Sequence, residues 1–226
     1  MGNILTLASA KGGCGKSTIT IVLAANLAAL GYKVCVIDSD RNQSFASWHS
    51  NAYEGKPFTV LSEVDHIKVV DLASEQAETH DLVLVDTAGF ENLTAASAIG
   101  MADYVLIPCM PDRGSVRETL RTASQVASLS KAARRTIPHS VILTRWKPKG
   151  LAERAALDSI GEAGLPILEH GFADLSDYAK LSFSGSVPLS GKVGMQADKV
   201  IASLVAKGAI PPRRTRKAKE KAGVAA

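Results

Sequence analysis

The chain has 226 residues, of which 26 are basic and 22 acidic, and its formal net charge is +4. Hydrophobic residues make up 46% and charged residues 21%, a balance typical of globular proteins that excludes collagen-like, coiled-coil and wholly disordered chains. The three cysteines form no CxxC pair and no Cys/His cluster, so neither a disulfide framework nor a structural zinc site is expected.

Short apolar runs alternate with helical patterns along the chain. The predicted strands cover residues 3–8, 33–37, 82–85, 104–107 and 137–143. The predicted helices cover 19–30, 92–101, 113–132, 150–163 and 195–207, and residues 62–79 fit either a strand or a helix. Nearly continuous apolar strands are typical of a parallel sheet that is covered on both faces. The alternation therefore predicts a doubly wound α/β fold with a mostly parallel sheet and helices on both faces.

The two ends of the chain differ in composition. Residues 1–212 hold all the predicted strands and helices, so we expect them to form one domain. Residues 213–226 carry six basic residues and one acidic residue, which gives this tail a charge of +5. The tail is too polar to join a core, and we expect it to be disordered.

A glycine-rich turn joins the first predicted strand to the first predicted helix. It consists of Lys11, Gly12, Gly13, Cys14, Gly15, Lys16, Ser17 and Thr18. Between a strand and a helix, such glycines let backbone amides turn towards phosphate oxygens, and the helix N-terminus adds partial positive charge. Lys16 is then placed to reach the β- and γ-phosphates, and the Ser17 hydroxyl to bind Mg²⁺. The segment predicts a site for ATP and Mg²⁺.

This loop departs from the common phosphate-loop pattern at its start. Ala10 stands where that pattern has glycine, and a second lysine, Lys11, lies five residues before Lys16. In this form the segment resembles the deviant Walker A loop of the ParA/MinD family of ATPases. The resemblance implies an ATP-dependent sandwich dimer in which Lys11 of each subunit contacts the nucleotide of the other.

Acidic residues follow two of the predicted strands. Asp38 and Asp40 end the second strand, and Asp86 ends the strand at 82–85. Ligands in open α/β sheets bind beyond the carboxyl ends of the strands, where these residues are expected. The resemblance implies that Asp40 positions the attacking water, that Asp38 helps to organise the Mg²⁺ shell, and that Asp86 lies near Mg²⁺. The proline that commonly follows the second aspartate in the family is replaced by Arg41.

Three further positions match the family less specifically. Pro108 resembles part of a segment near the nucleotide and the dimer face, and Thr144 and Arg145 stand where relatives contact the base. A plain loop is an alternative interpretation for each. Trp48 matches a tryptophan of small ParA-like members, but a packed helix aromatic is the simpler interpretation.

The charge distribution suggests a nucleic-acid partner. Residues 113–154 hold 10 basic and 2 acidic residues, and basic clusters attract phosphate backbones. The basic residues outside the tail that could form one surface are Arg113, Arg117, Arg121, Arg134, Arg135, Lys147, Lys149 and Arg154. The resemblance implies nonspecific DNA binding, hydrolysis stimulated by a ParB-like centromere-binding protein, and segregation of plasmid or chromosomal DNA.

Two other functions stay open at this point. A membrane-associated positioning ATPase of the Min type shares the loop, but residues 199–209 are only mildly amphipathic and precede a basic end without large apolar residues. An accessory ATPase of conjugative or T-DNA transfer fits the motifs about as well as plasmid partition. The apolar run at 19–30 is too short to cross a bilayer and no signal peptide is recognisable. We therefore expect a cytoplasmic, nucleoid-associated protein.

Overall fold

Six parallel strands form one sheet in this computed structural model, which describes residues 1–89 and 92–213. The strands are β1 Asn3–Leu7, β2 Val34–Asp38, β3 Thr59–Ser62, β4 Leu82–Asp86, β5 Tyr104–Cys109 and β6 His139–Leu143. The helices are α1 Lys16–Ala29, α2 Ser44–Ala52, α3 Lys68–Thr79, α4 Leu93–Met101, α5 Arg113–Ala132, α6 Leu151–Glu162, α7 Ser176–Lys180 and α8 Gly191–Ala206.

The strand order brings the carboxyl ends of three strands together. The order across the sheet is β3-β2-β4-β1-β5-β6, so β4 lies between β1 and β2. Leu7 of β1 is level with Asp86 of β4, which is itself level with Asp38 of β2. The glycine-rich loop after β1 and the acidic ends of β2 and β4 therefore meet at one edge of the sheet.

The core lies on both faces of the sheet. Leu5 points to the face covered by α1 and α8, whereas the preceding residue, Ile4, points to the face covered by α3 and α4. Successive strand residues alternate between faces, and here both faces are covered, which explains the continuous apolar runs. The predicted doubly wound parallel sheet is confirmed.

Several boundaries differ from the prediction. The ambiguous segment forms helix α3, and α2, β3 and α7 were not predicted. The fifth strand continues through Pro108 to Cys109. The Leu106 carbonyl accepts a hydrogen bond from the Ala8 amide, so the backbone of Leu106 faces β1. The backbone of Pro108, two residues later, faces the same side, but β1 has already ended there at Leu7. Its missing N–H therefore costs no ladder hydrogen bond.

The end of the described chain docks at the sheet edge opposite the glycine-rich loop. The Tyr32 hydroxyl donates to the carbonyl of Pro211 at 3.1 Å, and Arg213 lies beside Gly31 just after α1. Apart from Arg213, the predicted tail lies outside the described residues. Across residues 1–89 and 92–213, no helix combines the length and the apolar character needed to span a membrane.

Candidate nucleotide-binding site

A cavity of about 780 Å³ opens at the carboxyl ends of the central strands. Its lining includes the glycine-rich loop from Gly12 through Thr18, Asp40 of the segment after β2, and Gly89 of the segment after β4. Residues 144–145 and the segment 172–182 also contribute to the lining. Cavities of this size are typical of small-molecule sites.

The glycine-rich loop ends in a helix N-terminus with free amides. Gly15 takes a φ of +99° just before α1 begins at Lys16, and no described side chain caps the helix. The first turns of helices carry N–H groups without partners inside the helix, and the helix dipole adds positive potential there. The loop therefore presents backbone donors to an anion in the cavity.

Lys16 places a positive charge inside the loop. It is buried, and its Nζ donates to the carbonyls of Ser9 at 3.4 Å and Lys11 at 3.3 Å. A buried ammonium needs compensating oxygens, and here main-chain carbonyls supply them. The side chain is thus held where phosphate oxygens would bind.

Lys11 turns away from the cavity. Its Nζ donates to both carboxylate oxygens of Asp112, at 2.8 and 2.9 Å. Asp112 caps the N-terminus of α5, where its side chain also accepts a hydrogen bond from the Ser115 amide. Partial burial opposes ionisation of Asp112, but the bonds from Lys11 and Ser115 lower the pKa of its carboxyl below the ordinary value. The second lysine of the loop is therefore held by its own chain at the rim of the site.

Asp86 is a buried carboxyl that lacks a full set of partners. It is 1% exposed, and within the described part of the chain its Oδ1 has no hydrogen-bond partner. Burial raises its pKa to about 7, and the nearby charges of Asp38 and Asp40 act in the same direction. The nearby Ser17 hydroxyl and the charge of Lys16 lower the pKa but do not outweigh burial. Such a carboxyl is suited to a cation that would stabilise its charge.

The segment after β2 is built around Asp38. Its Oδ1 accepts a hydrogen bond from the Asp40 amide at 3.1 Å, and its Oδ2 accepts one from the Ala46 amide in α2 at 3.0 Å. Burial raises the pKa of Asp38. Asp38 thus ties the end of β2 to the start of α2, while Asp40 lines the cavity.

The turn between Asp40 and α2 closes without the proline of the family. The Gln43 amide donates to the Asp40 carbonyl at 2.9 Å, and the Asn42 amide donates to Asp40 Oδ1 at 2.9 Å. Gln43 has a φ of +47°, a left-handed conformation that costs a residue with a side chain. Hydrogen bonds therefore hold this turn in the place of a proline, and they do so against the strain at Gln43.

The oxygen donors of this edge suit Mg²⁺. The Ser17 hydroxyl lies close enough to the Asp86 carboxyl to lower its pKa, and hard oxygen ligands of this kind are preferred by Mg²⁺. Asp86 Oδ1, which no described residue contacts by a hydrogen bond, leaves an acceptor for the ion or its water shell. The residues present therefore fit the ion that the loop implies.

The remaining predicted positions divide into three groups. Thr144 and Arg145 line the cavity, and Arg145 has a φ of +51°. Pro108 is buried inside β5 and is not part of the described cavity lining. Trp48 is a packed aromatic that also contributes to the cavity lining, and its Nε1 donates to the Leu181 carbonyl at 2.7 Å.

Sequence reasoning missed one wall of the cavity and one close approach. The wall is the segment 172–182, which carries no recognisable motif. The close approach joins Gly89 to Gly12: a Cβ added at Gly89 would lie 2.9 Å from the nitrogen and Cα of Gly12. The glycine in Asp86-Thr87-Ala88-Gly89 is the signal that could have indicated it.

The strand order, the two-lysine loop and the acidic strand ends define a P-loop ATPase of the ParA/MinD type. The model of the VirC1 protein family matches residues 2–199, and the chain belongs to that family. Its relatives include protein ParA of Rhizobium radiobacter, 29% identical over 187 residues that cover 81% of this chain and 84% of ParA. Protein virC1 of Rhizobium rhizogenes is 29% identical over 194 residues, 83% of each chain.

Solved structures share the fold over nearly the whole chain. McdA of Cyanothece in complex with ATP has a TM-score of 0.75 at 18% identity, covering 95% of this chain and 99% of its own. The cell division protein MinD of Aquifex aeolicus has a TM-score of 0.73 at 22% identity, covering 94% of this chain and all of its own. These likenesses establish the architecture.

Proposed function

We propose that this chain binds ATP with Mg²⁺, dimerises in that state, binds DNA without sequence preference, and hydrolyses ATP to segregate or position plasmid or chromosomal DNA. The observation that carries the proposal is the pair of lysines in one phosphate loop. Lys16 lies buried inside the loop, whereas Lys11 is turned to its rim. One lysine serves the chain's own nucleotide, and the other is available for a second copy.

The first step is triphosphate binding. The amides of the loop and the ammonium of Lys16 would bind the phosphates. Ser17 and Asp86 would hold Mg²⁺, which supplies neutralisation of the charge that develops on the phosphoryl oxygens. Asp40, which lines the cavity, would orient the attacking water, and its carboxylate would accept a hydrogen bond from that water.

The second step is dimerisation. Lys11 now pairs with Asp112 of its own chain, and the pair is partly exposed, so little free energy opposes its opening. A partner's triphosphate carries more negative charge than one carboxylate and offers several acceptors. Lys11 would therefore exchange Asp112 for the nucleotide of the second subunit.

The third step is DNA binding by the basic surface. Arg113, Arg117 and Arg121 recur every four residues on α5 and are exposed. Glu118 offsets part of this charge through its contacts with Arg117 and Arg121. Binding would rest on phosphate contacts and counterion release, which carry no sequence preference. We propose that a ParB-like protein stimulates hydrolysis, in line with the similarity to ParA.

One experiment tests all three steps. The wild type is measured with Mg-ATP, with Mg-ADP and without nucleotide, by light scattering for mass and by fluorescence anisotropy on a random-sequence duplex. We expect the protein to form a dimer and to bind DNA with Mg-ATP, but to do neither with Mg-ADP or without nucleotide. Equal mass and equal DNA binding in all three states would refute the proposal, and binding to anionic vesicles instead of DNA would favour a Min-type role.

Variants assign the steps to residues. Lys16→Ala should abolish Mg-ATP binding, Lys11→Ala should bind ATP but stay monomeric, and Asp40→Ala should form the dimer without turnover. The control is Lys68→Ala, which removes an exposed lysine of α3 outside the cavity. Unchanged ATP affinity in Lys16→Ala, or normal turnover in Asp40→Ala, would contradict the roles assigned here.

A further inference from the structure

Thr144 joins the end of β6 to the phosphate loop. It is 4% exposed, and its hydroxyl donates to the carbonyl of Cys14 at 3.1 Å. Its amide donates to the carbonyl of Cys109 at the end of β5, at 2.9 Å. Its methyl group lies beside Gly15, 3.9 Å from where a Cβ on that glycine would be. Thr144 therefore links the loop to the ends of β6 and β5, the loop through its side chain and β5 through its amide.

The bond to Cys14 controls where the next amide points. In a trans peptide the C=O of one residue and the N–H of the next point in opposite directions. Thr144 pulls the Cys14 carbonyl towards β6, so the N–H of Gly15 points the other way. Gly15 has no side chain to limit its rotation and takes a φ of +99°. An external hydrogen bond is thus what holds this peptide.

We propose that Thr144 is a positioning residue for phosphate binding, which acts by orienting the peptide between Cys14 and Gly15. This inference rests on the proposed ATP binding and gives Thr144 a role different from the base contact that family resemblance implies. A threonine hydroxyl has one hydrogen to donate, and here Cys14 receives it. While this bond holds, the hydroxyl can accept a hydrogen bond from a base but cannot donate one.

The test compares nucleotide affinities of three variants with the wild type. Thr144→Val removes the hydroxyl and keeps the shape, whereas Thr144→Ser restores the hydroxyl. Thr6→Val is the matched control, because the Thr6 hydroxyl is also buried and donates to a main-chain carbonyl, that of Ala98 at 2.9 Å, but it lies outside the cavity lining. Dissociation constants are measured for Mg-ATP, Mg-ADP and Mg-GTP by calorimetry, and folding by thermal denaturation.

We expect Thr144→Val to raise the dissociation constants for ATP and GTP by the same factor, about five- to thirtyfold, because the peptide between Cys14 and Gly15 loses the hydrogen bond that orients it for phosphate binding. Affinity for ADP should fall in parallel. Thr144→Ser should stay within about threefold of the wild type. Thr6→Val should lower the melting temperature without changing nucleotide affinity.

Three outcomes would overturn the inference: unchanged affinity in Thr144→Val, a changed ATP to GTP ratio, or an equal affinity loss in Thr6→Val. A changed ratio of ATP to GTP affinity would indicate that Thr144 contacts the base. If Thr144→Val does not fold, Thr144→Ala takes its place under the same expectations, compared again with Thr144→Ser. A wild type that binds none of the nucleotides would instead refute the proposed function, so the two failures are distinguishable.

Discussion

Replacing Asp86 by asparagine should stabilise the protein when nucleotide and Mg²⁺ are absent. In the folded chain this carboxyl is buried near Asp38 and Asp40, and burial raises its pKa to about 7 from 3.8. Its ionised form is therefore disfavoured in the folded state, whereas the unfolded chain ionises freely. Asparagine has nearly the same shape and no charge, so Asp86→Asn removes this cost.

The pKa difference sets the size and the pH range of the effect. Each pKa unit corresponds to about 1.4 kcal/mol, so ionisation of Asp86 lowers the free energy of unfolding by up to about 4 kcal/mol. Because the folded pKa is raised, the wild type loses this stability as the pH rises from 3.8 through about 7. The loss between pH 5 and pH 8 is about 2 to 3 kcal/mol.

The assay is urea unfolding of both proteins in EDTA at pH 5, 6, 7 and 8. The advantage of Asp86→Asn over the wild type should grow by about 2 to 3 kcal/mol across this range. Any pH-independent difference, such as altered packing of the amide, cancels in the comparison. Asp158→Asn, which alters an exposed carboxylate of α6, serves as the control and should show no comparable growth.

A constant difference between wild type and Asp86→Asn over the whole pH range would refute the reasoning. It would mean that Asp86 ionises as easily in the folded chain as in the unfolded one. Adding Mg-ATP should reverse the order, because the ion stabilises the charged carboxylate and ligand binding stabilises the folded state. The variant should gain little from Mg-ATP.

Three further substitutions test other contacts of the site. Asp112→Asn keeps an acceptor for the amide at the start of α5 but weakens the interaction with Lys11. Lys11 is then easier to release, so dimers should form at an ATP concentration up to about fivefold lower. An unchanged ATP dependence in light scattering would contradict this. Gln43→Gly relieves the positive φ and should raise the free energy of unfolding by about 0.5 to 1 kcal/mol in urea titrations; a destabilised variant would show that the turn is not strained. Gly89→Ala places a Cβ against the phosphate-loop backbone and should weaken ATP binding about tenfold. The control Gly100→Ala adds a Cβ in open space and should leave ATP binding unchanged. Equal ATP affinities of the two variants would argue against the close approach.

Local patterns in the sequence were enough for the phosphate loop and the buried strands. The spacing of glycines and lysines between an apolar strand and a helix identified the loop, because phosphate binding by amides depends on a short stretch of backbone. The buried strands were visible because both faces of the sheet are covered. The edge strand β3 was missed, since Thr59–Ser62 is only partly buried and offers a short apolar signal.

Helix α2 was missed for a different reason. Its buried side chains are Phe45 and Trp48, and Trp48 is fixed by the carbonyl of Leu181, 133 residues away. No residue near α2 in the sequence indicates that this partner exists. The segment 172–182 then forms a wall of the cavity although it carries no motif of its own.

What the sequence determined by itself was the chemistry of each strand end, whereas the tertiary structure decided which ends meet. Asp38 and Asp86 become neighbours because β4 inserts between β1 and β2. Thr144 reaches Cys14, 130 residues away, because β6 is parallel to β5 and ends at the same edge. Residue patterns record only which face of an element is buried, so contacts between distant segments follow from strand order and register, which packing of the whole chain sets.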